Sequence, residues 1–136
     1  MDTERLITAV ADWARCDARV VAASLCGSHA RDEARADSDV DLVLLTPKPA
    51  SLIDDRNWLD NFGEPEVVAD EDWGLVKSVR VFYGKLEVEF GIAGLEWVQP
   101  PIDAGTARIM RQPMRILHDP ESLIAKAIAE VQANIE

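Results

Sequence analysis

Two short motifs in the first third of the chain contain residue types that can bind phosphate and metal ions. Gly27-Ser28 follows an apolar run over 20–26, and Asp39 and Asp41, separated by one valine, open a second apolar run. Glycine lets the backbone turn sharply and approach a ligand closely. Ser28 is expected at the N-terminus of a short helix, where free N–H groups and the helix dipole favour an anion such as a triphosphate. The first motif therefore predicts a phosphate-binding turn.

The two aspartates predict a cation site on the following strand. Residues two apart in a strand project from the same face, so the carboxylates of Asp39 and Asp41 are expected side by side. They repel each other unless a cation lies between them, and hard oxygen ligands of this kind suit Mg²⁺, which also bridges substrate phosphates. Each motif alone is common, because Gly-Ser is usually a turn and Asp-x-Asp a solvated strand end. Together, in strand–helix–strand order, they predict a site for a metal-bound phosphate compound.

The combined pattern resembles the signature of the nucleotidyltransferase superfamily, typified by DNA polymerase beta and kanamycin nucleotidyltransferase. In that signature Gly-Ser is followed, after a spacer, by an acid-hydrophobic-acid-hydrophobic run, which residues 39–42 match. The form Gly-Ser-x-Ala-Arg over 27–31 is most similar to the small bacterial branch of minimal nucleotidyltransferases and aminoglycoside-modifying relatives. Asp32 departs from that branch, which usually has glycine after the arginine. The resemblance implies an α+β nucleotidyltransferase fold with a mixed, twisted sheet of about four or five strands flanked by helices.

The resemblance also implies a third carboxylate, on a later strand beside the aspartate pair. Over 86–92 apolar and polar residues alternate, which places Glu87 and Glu89 together on one face of a predicted strand. Either glutamate can therefore supply the carboxylate. Members of the superfamily often carry an acid flanked by apolar residues late in this strand, and this favours Glu89 over Glu87.

These residues imply a two-metal mechanism of nucleotidyl transfer. Asp39, Asp41 and Glu89 would hold two Mg²⁺ ions that clamp the triphosphate of an NTP such as ATP and lower the pKa of an acceptor hydroxyl. The acceptor oxygen attacks the α-phosphorus in line, pyrophosphate leaves, and Glu89 acts as the general base. The residues expected to bind the nucleotide are Gly27, Ser28 and Arg31. Arg31 has an alternative role as the ion-pair partner of a surface acid such as Asp37.

The elements around the motifs predict helices that alternate with strands early in the chain and a hairpin later. A short polar helix over 28–35 precedes the strand over 40–46, and a helix over 51–62 follows. The apolar period then changes from helical to alternating, with Gly84-Lys85 as a two-residue hairpin turn. A last helix is expected from Asp119-Pro120. This order predicts a mixed sheet in a single domain over 1–136.

Composition and charge argue against some classes of binding partner. The chain has 136 residues, of which 48% are apolar and 29% charged, as in a soluble globular protein. It contains no apolar stretch long enough for a membrane span and no signal-peptide pattern, so we expect a cytoplasmic protein without a membrane partner. The net charge is −11, and residues 51–75 contain eight acids against one arginine. This acidity argues against nucleic acid as the main partner and would attract a cationic small molecule or a basic protein face.

Three functions are compatible with these residues. The leading interpretation is a Mg²⁺-dependent nucleotidyltransferase that moves the NMP of an NTP to the hydroxyl of a small acceptor, the class that includes aminoglycoside-modifying enzymes. One alternative is an antitoxin-type minimal nucleotidyltransferase that binds, and could nucleotidylate, a helical toxin. Another is a non-catalytic nucleotide-binding domain, against which the intact aspartate pair argues. Aminoglycoside-modifying relatives usually carry an added acceptor-binding domain, so we expect a protein partner or the second subunit of a homodimer to complete the acceptor site. Trp58, Trp73 and Trp97 are expected to pack in the core rather than to line that site.

Overall fold

A computed structural model describes residues 2–31 and 38–133 of the chain. Its helices are α1 (Thr3–Cys16), α2 (Gly27–Ala30), α3 (Ala50–Ile53), α4 (Ala104–Met110) and α5 (Leu123–Ala133). Its strands are β1 (Ala22–Cys26), β2 (Val40–Leu45), β3 (Glu66–Asp72), β4 (Val76–Tyr83), β5 (Leu86–Ala93) and β6 (Arg115–His118). Short 3₁₀ helices occupy Asn57–Phe62 and Leu95–Val98. In this part of the chain no helix is both long and apolar enough to cross a membrane.

The strands form one mixed sheet in the order β3-β4-β5-β2-β1-β6. The neighbours β2 and β5 run parallel, and every other neighbouring pair is antiparallel. The predicted α+β class and mixed sheet are confirmed. The sheet has six strands, more than predicted, because β3 and β6 both pair at its edges. β3 is rich in acids, which strands generally disfavour, so its sequence carries only a weak strand signal.

One face of the sheet packs against α1 and the 3₁₀ helix over Asn57–Phe62 and buries the larger of two apolar clusters. Side chains alternate along each strand, so that Leu42 and Leu44 of β2 and Phe90 of β5 point into this layer. The alternation predicted for β5 is thereby confirmed.

Phe62 lies at the centre of an aromatic cluster in the same layer. Its ring contacts the rings of Trp13, Trp58, Tyr83 and Phe90 at centroid separations of 5.6, 6.4, 6.3 and 5.7 Å. Aromatic pairs in stacked and edge-to-face arrangements contribute about 0.5–1.5 kcal/mol each beyond the burial of their area. These rings tie α1 and the 3₁₀ helix to the sheet.

The opposite face of the sheet is covered only in part. α4, α5 and the 3₁₀ helix over Leu95–Val98 pack against Val43, Leu45 and Ala93, towards one end of β2 and β5. Towards the other end of the same face lie the acidic residues of these strands, beside a cleft. The fold therefore leaves one part of a buried sheet accessible to a ligand.

Two predicted helices near the motifs differ in extent from the structure. The helix expected over 51–62 is divided into α3 and the 3₁₀ helix. Between them the Asp55 carboxylate accepts a hydrogen bond from the Asn57 N–H, a local contact that competes with the helical pattern. Of the polar helix expected over 28–35, α2 forms the first part, and 32–35 lie outside the described residues.

The last helix begins later than predicted. α5 starts at Leu123 rather than at Pro120. The Asp119 carboxylate accepts hydrogen bonds from the N–H groups of Leu123 and Ala125, at 2.8 and 3.0 Å. Asp119 therefore caps the helix as predicted, but it lies several residues before the start of the helix at Leu123 rather than directly before it.

Replacement of Phe62 by alanine should destabilise the protein strongly. Phe62 is 1% exposed, so Phe62→Ala leaves a cavity among four rings and should cost about 3–5 kcal/mol in the free energy of unfolding. Urea denaturation measures this loss. Val68→Ala, on the edge strand β3 where Val68 is 47% exposed, is the control and should change the free energy by less than about 0.5 kcal/mol. Equal stability of the two variants would contradict the aromatic cluster as the centre of the core.

Candidate active site

Three carboxylates meet where β2 and β5 run side by side. The parallel register places Asp41 directly beside Glu89, and Asp39 immediately precedes β2. Oxygen atoms of the three side chains lie within 4.8 Å of one another, and each residue is half-buried. The structure thus brings together the three residues for which the sequence predicts metal binding.

Glu87, the competing candidate for the third carboxylate, shares Arg80 with Glu89 but is not paired with a residue of β2. It lies two residues before Glu89 on β5, and its Oε2 accepts a hydrogen bond from Arg80 Nη1 at 2.6 Å. Exposure does not distinguish the two glutamates, since their side chains are 28% and 21% exposed. The register distinguishes them, because Glu89 is the residue paired with Asp41.

The Gly27-Ser28 turn packs directly against Asp41. Gly27 has a φ of 71°, a left-handed conformation that favours glycine. A Cβ at this position would overlap Asp41 Oδ2, so the lack of a side chain lets the carboxylate lie over the turn. Ser28 is half-buried in the first turn of α2. The predicted phosphate-binding turn and the predicted cation site are therefore adjacent.

A hydrogen bond joins the two ends of the segment between the motifs. His29 Nε2 donates to the carbonyl oxygen of Ser38, the residue before the first aspartate, at 3.2 Å. Arg31 follows α2 and lines the cleft beside the carboxylates. Asp37, the alternative partner predicted for Arg31, and the departure from the family pattern at Asp32 lie outside the described residues.

One basic residue that the sequence analysis does not single out joins the acidic face. Arg80 lies on β4 directly opposite Glu89. Its guanidinium contacts four carboxylates, those of Asp39, Glu71, Glu87 and Glu89. The sequence contains a signal for the contact with Glu89. A two-residue turn at Gly84-Lys85 sets which residues of the hairpin face each other, and it pairs Arg80 with Glu89.

A cleft of about 670 Å³ opens beside the carboxylates. Asp41 and Glu89 lie on its polar side, and Trp73, Leu75 and Ile109 contribute an apolar side. Trp73 is 63% exposed, whereas Leu75 and Ile109 are 37% and 40% exposed. The expectation that Trp73 packs in the core is wrong, because this residue lies in the turn between β3 and β4.

The electrostatic surroundings of Asp41 differ from those of an ordinary aspartate. The pKa of its carboxyl is raised to about 8, first by burial and then by the negative charges of Asp39 and Glu89. At neutral pH this carboxyl therefore keeps its proton in the metal-free protein. Burial and the charge of Asp41 also raise the pKa of the Cys26 thiol to about 12, which leaves it unreactive as a nucleophile at neutral pH.

The donor set fits a magnesium ion. Asp39, Asp41 and Glu89 all offer carboxylate oxygens, which are hard ligands, and their spacing within 4.8 Å allows one ion to contact more than one of them. A divalent cation would also relieve the repulsion that raises the pKa of Asp41. These three residues could therefore hold a metal ion together with a substrate phosphate.

The comparison of the chain with protein families agrees with this geometry. Residues 1–82 match the model of the streptomycin adenylyltransferase family, and this match covers more than half of the chain. The chain belongs to this family. The predicted resemblance to aminoglycoside-modifying nucleotidyltransferases is thereby confirmed. The match includes both sequence motifs and Arg80, whereas Glu89 lies beyond it. Among curated proteins no relative matches the chain.

A solved structure also resembles this member of the adenylyltransferase family. It is an aminoglycoside 6-adenyltransferase from Bacillus subtilis, with a TM-score of 0.56 and 14% sequence identity. The similarity covers 71% of this chain and 37% of that chain. The likeness establishes the nucleotidyltransferase fold, and this chain spans little more than a third of the length of the solved relative.

The raised pKa of Asp41 predicts that this family member, free of metal, loses stability as the pH rises from about 4 to about 8. Over this range the folded state holds a proton that the unfolded state has released, so a rising pH favours unfolding. Asp41→Asn removes this titration. The Tm of the variant minus the Tm of the wild type should therefore be larger at high pH than at low pH. Thermal unfolding in EDTA at about pH 5 and about pH 9 measures the difference.

Asp60→Asn is the matched control for this experiment, because Asp60 is an exposed acid in the layer on the other side of the sheet. Its Tm relative to the wild type should be the same at both pH values. A difference between Asp41→Asn and the wild type that does not change with pH would contradict the raised pKa of Asp41.

Proposed function

We propose that the chain is a Mg²⁺-dependent nucleotidyltransferase that moves the NMP of an NTP to a hydroxyl of a small-molecule acceptor and releases pyrophosphate. The observation that carries the proposal is the convergence of Asp39, Asp41 and Glu89 within 4.8 Å, beside the Gly27 turn. Membership of an adenylyltransferase family supports it and favours ATP as the donor. The complete set of three carboxylates argues against a non-catalytic nucleotide-binding domain.

The acidic residues divide the chemistry between them. Asp39, Asp41 and Glu89 would hold Mg²⁺, which when bound neutralises phosphate charge and lowers the pKa of the acceptor hydroxyl. Glu89 is the proposed general base: its carboxylate receives the hydroxyl proton as the acceptor oxygen attacks the α-phosphorus and pyrophosphate leaves. Asp41 must release its own proton before its carboxylate can bind a cation, so the raised pKa of Asp41 makes metal binding stronger as the pH rises.

Gly27, Ser28 and Arg31 are proposed to bind the nucleotide. Gly27 and Arg31 line the cleft, whereas Ser28 lies outside its lining in the first turn of α2. Gly27 allows the backbone to approach the phosphates closely, and the guanidinium of Arg31 suits phosphate oxygens because it can donate paired hydrogen bonds.

The proposed acceptor is an aminoglycoside. The family is named for streptomycin, and the solved relative for an aminoglycoside. Aminoglycosides are polycations, and this chain has a net charge of −11. A negative surface raises the local concentration of a cationic substrate and speeds its association. Pyrophosphate release from ATP, measured with streptomycin and with other aminoglycosides, tests this assignment.

Removal of both aspartate charges should weaken nucleotide binding in the presence of Mg²⁺. Asp39→Asn combined with Asp41→Asn takes away two metal ligands, so calorimetry should show ATP binding weakened at least about tenfold in Mg²⁺. The control is Asp60→Asn combined with Glu64→Gln, which removes two exposed charges elsewhere and should bind ATP like the wild type. Unchanged affinity in the first double variant would mean that the nucleotide binds elsewhere.

Glu89 and Glu87 should differ sharply in their effect on turnover. Glu89→Gln keeps the side-chain volume but removes the charge, so kcat should fall by at least about a hundredfold while nucleotide binding is largely retained. Glu87→Gln removes an equivalent charge on the same strand face but keeps an amide oxygen that can accept the hydrogen bond from Arg80, so kcat should change by less than about threefold. A pyrophosphate-release assay compares the two. The reverse order would assign the third carboxylate to Glu87.

A further inference from the structure

Arg80 occupies the middle of the acidic face, across from Glu89. Its Nη2 donates to Glu89 Oε2 at 3.3 Å and to Glu71 Oε1 at 3.1 Å. Its Nη1 donates to Glu87 Oε2 at 2.6 Å and lies 3.7 Å from Asp39 Oδ2. One guanidinium thus joins four carboxylates that reach it from β3, from β5 and from the residue before β2.

We propose that Arg80 is a positioning residue for the metal site, a built-in counter-cation that holds Glu89 and Asp39 in place before Mg²⁺ binds. The inference rests on the proposed function, because it takes these two carboxylates as metal ligands. Arg80 acts through the carboxylates that it holds and does not itself touch the substrate.

The charges on this face require such a cation. Besides Asp41, which keeps its proton in the metal-free protein, four carboxylates lie around the site, those of Asp39, Glu71, Glu87 and Glu89. Their mutual repulsion opposes folding unless positive charge lies among them. The hydrogen bonds to Glu87 and Glu71 hold the pKa of the Arg80 guanidinium above its usual value, so this positive charge is permanent.

The geometry suits arginine rather than lysine. A planar guanidinium has five N–H donors in fixed directions, whereas an ammonium group is a compact point charge. Nε and Nη2 both face Glu71, and Nη1 faces Glu87, so the two outer glutamates orient the group. Nη2 is then directed at Oε2 of Glu89. Because a carboxylate has two oxygens, Glu89 can accept from Arg80 with one and offer the other to a cation or a proton.

Arg80 and Mg²⁺ therefore share two carboxylates, which links their effects on stability. Without the guanidinium the acids repel one another more strongly in the metal-free protein, so a bound cation relieves more repulsion than in the wild type. An arginine with a purely structural role, which merely ties β3, β4 and β5 together, would stabilise the protein equally with and without Mg²⁺.

Thermal unfolding of the full chain in EDTA and in saturating Mg²⁺ separates these two roles. In Arg80→Met we expect a lower Tm in EDTA and a Mg²⁺-induced rise in Tm at least about 4 °C larger than that of the wild type. Calorimetric titration with Mg²⁺ should give a Kd about fivefold tighter than that of the wild type. At saturating Mg²⁺, kcat of Arg80→Met should still fall at least about tenfold, because Glu89 no longer has the hydrogen bond from Arg80 that positions it.

Two further variants complete the experiment. Arg80→Lys keeps the charge but not the paired donors, so its Mg²⁺-induced rise in Tm should lie between those of the wild type and Arg80→Met. Arg56→Met is the matched control, because Arg56 forms a similar paired contact with Asp70 of β3, at 2.9 and 2.6 Å. It should lower the Tm by the same amount in EDTA and in Mg²⁺.

A Mg²⁺-induced rise in Arg80→Met equal to that of the wild type would overturn the proposal and leave Arg80 a structural residue. If Arg80→Met does not fold in either buffer, Arg80→Lys decides, since its rise must then exceed that of the wild type. A wild-type chain that neither binds Mg²⁺ nor gains Tm from it contradicts the proposed metal site itself. In that case the proposed function fails. If instead the Tm of the wild type rises in Mg²⁺ and the Tm of the variants rises by no more, only the role proposed for Arg80 fails.

Discussion

The parallel pairing of β2 and β5 is the constraint on which the site depends. It sets Asp41 beside Glu89 and brings like charges into one half-buried face of the sheet. Burial and repulsion both oppose this arrangement, and the raised pKa of Asp41 reflects that cost. The positive charge of Arg80 offsets this repulsion. Arg80 lies directly opposite Glu89 on β4, which pairs with β5 on the side away from β2. A slip of one residue in the pairing would turn these side chains into the apolar face, because side chains alternate along a strand.

The same strands build both the core and the site. Alternate residues of β2 and β5 point to opposite faces, so the aromatic layer around Phe62 supports the strands whose other side carries the carboxylates. On the second face the helices cover only part of the sheet, and the cleft remains beside the acids. The apolar side of the cleft includes Trp73, Leu75 and Ile109, whose side chains are exposed. The cleft therefore has carboxylates on one side and apolar side chains on the other.

Most of the local features of the site follow from short-range sequence rules. Gly27-Ser28 predicts a tight turn, and Asp39 and Asp41 share a strand face because they are two residues apart. The hairpin turn at Gly84-Lys85 sets which residues of β4 and β5 face each other, so the contact between Arg80 and Glu89 could also be predicted from the sequence. The division of the helix expected over 51–62 could not, because it depends on a side-chain contact that competes with a regular helix pattern.

The sequence by itself determined that a glycine-containing turn and a pair of aspartates would lie close together, because strand–helix–strand neighbours are adjacent in space. The alternation of residues alone did not distinguish Glu89 from Glu87, since it places both on the same face, and the preference for Glu89 came from the family resemblance. Only the tertiary structure decided between them as neighbours of Asp41. Forty residues, 46–85, lie between β2 and β5, and the parallel register of these strands is set by the packing of both sheet faces rather than by any local signal. The exposure of Trp73 beside the acids was decided in the same way, by a turn whose position relative to the cleft depends on the whole sheet.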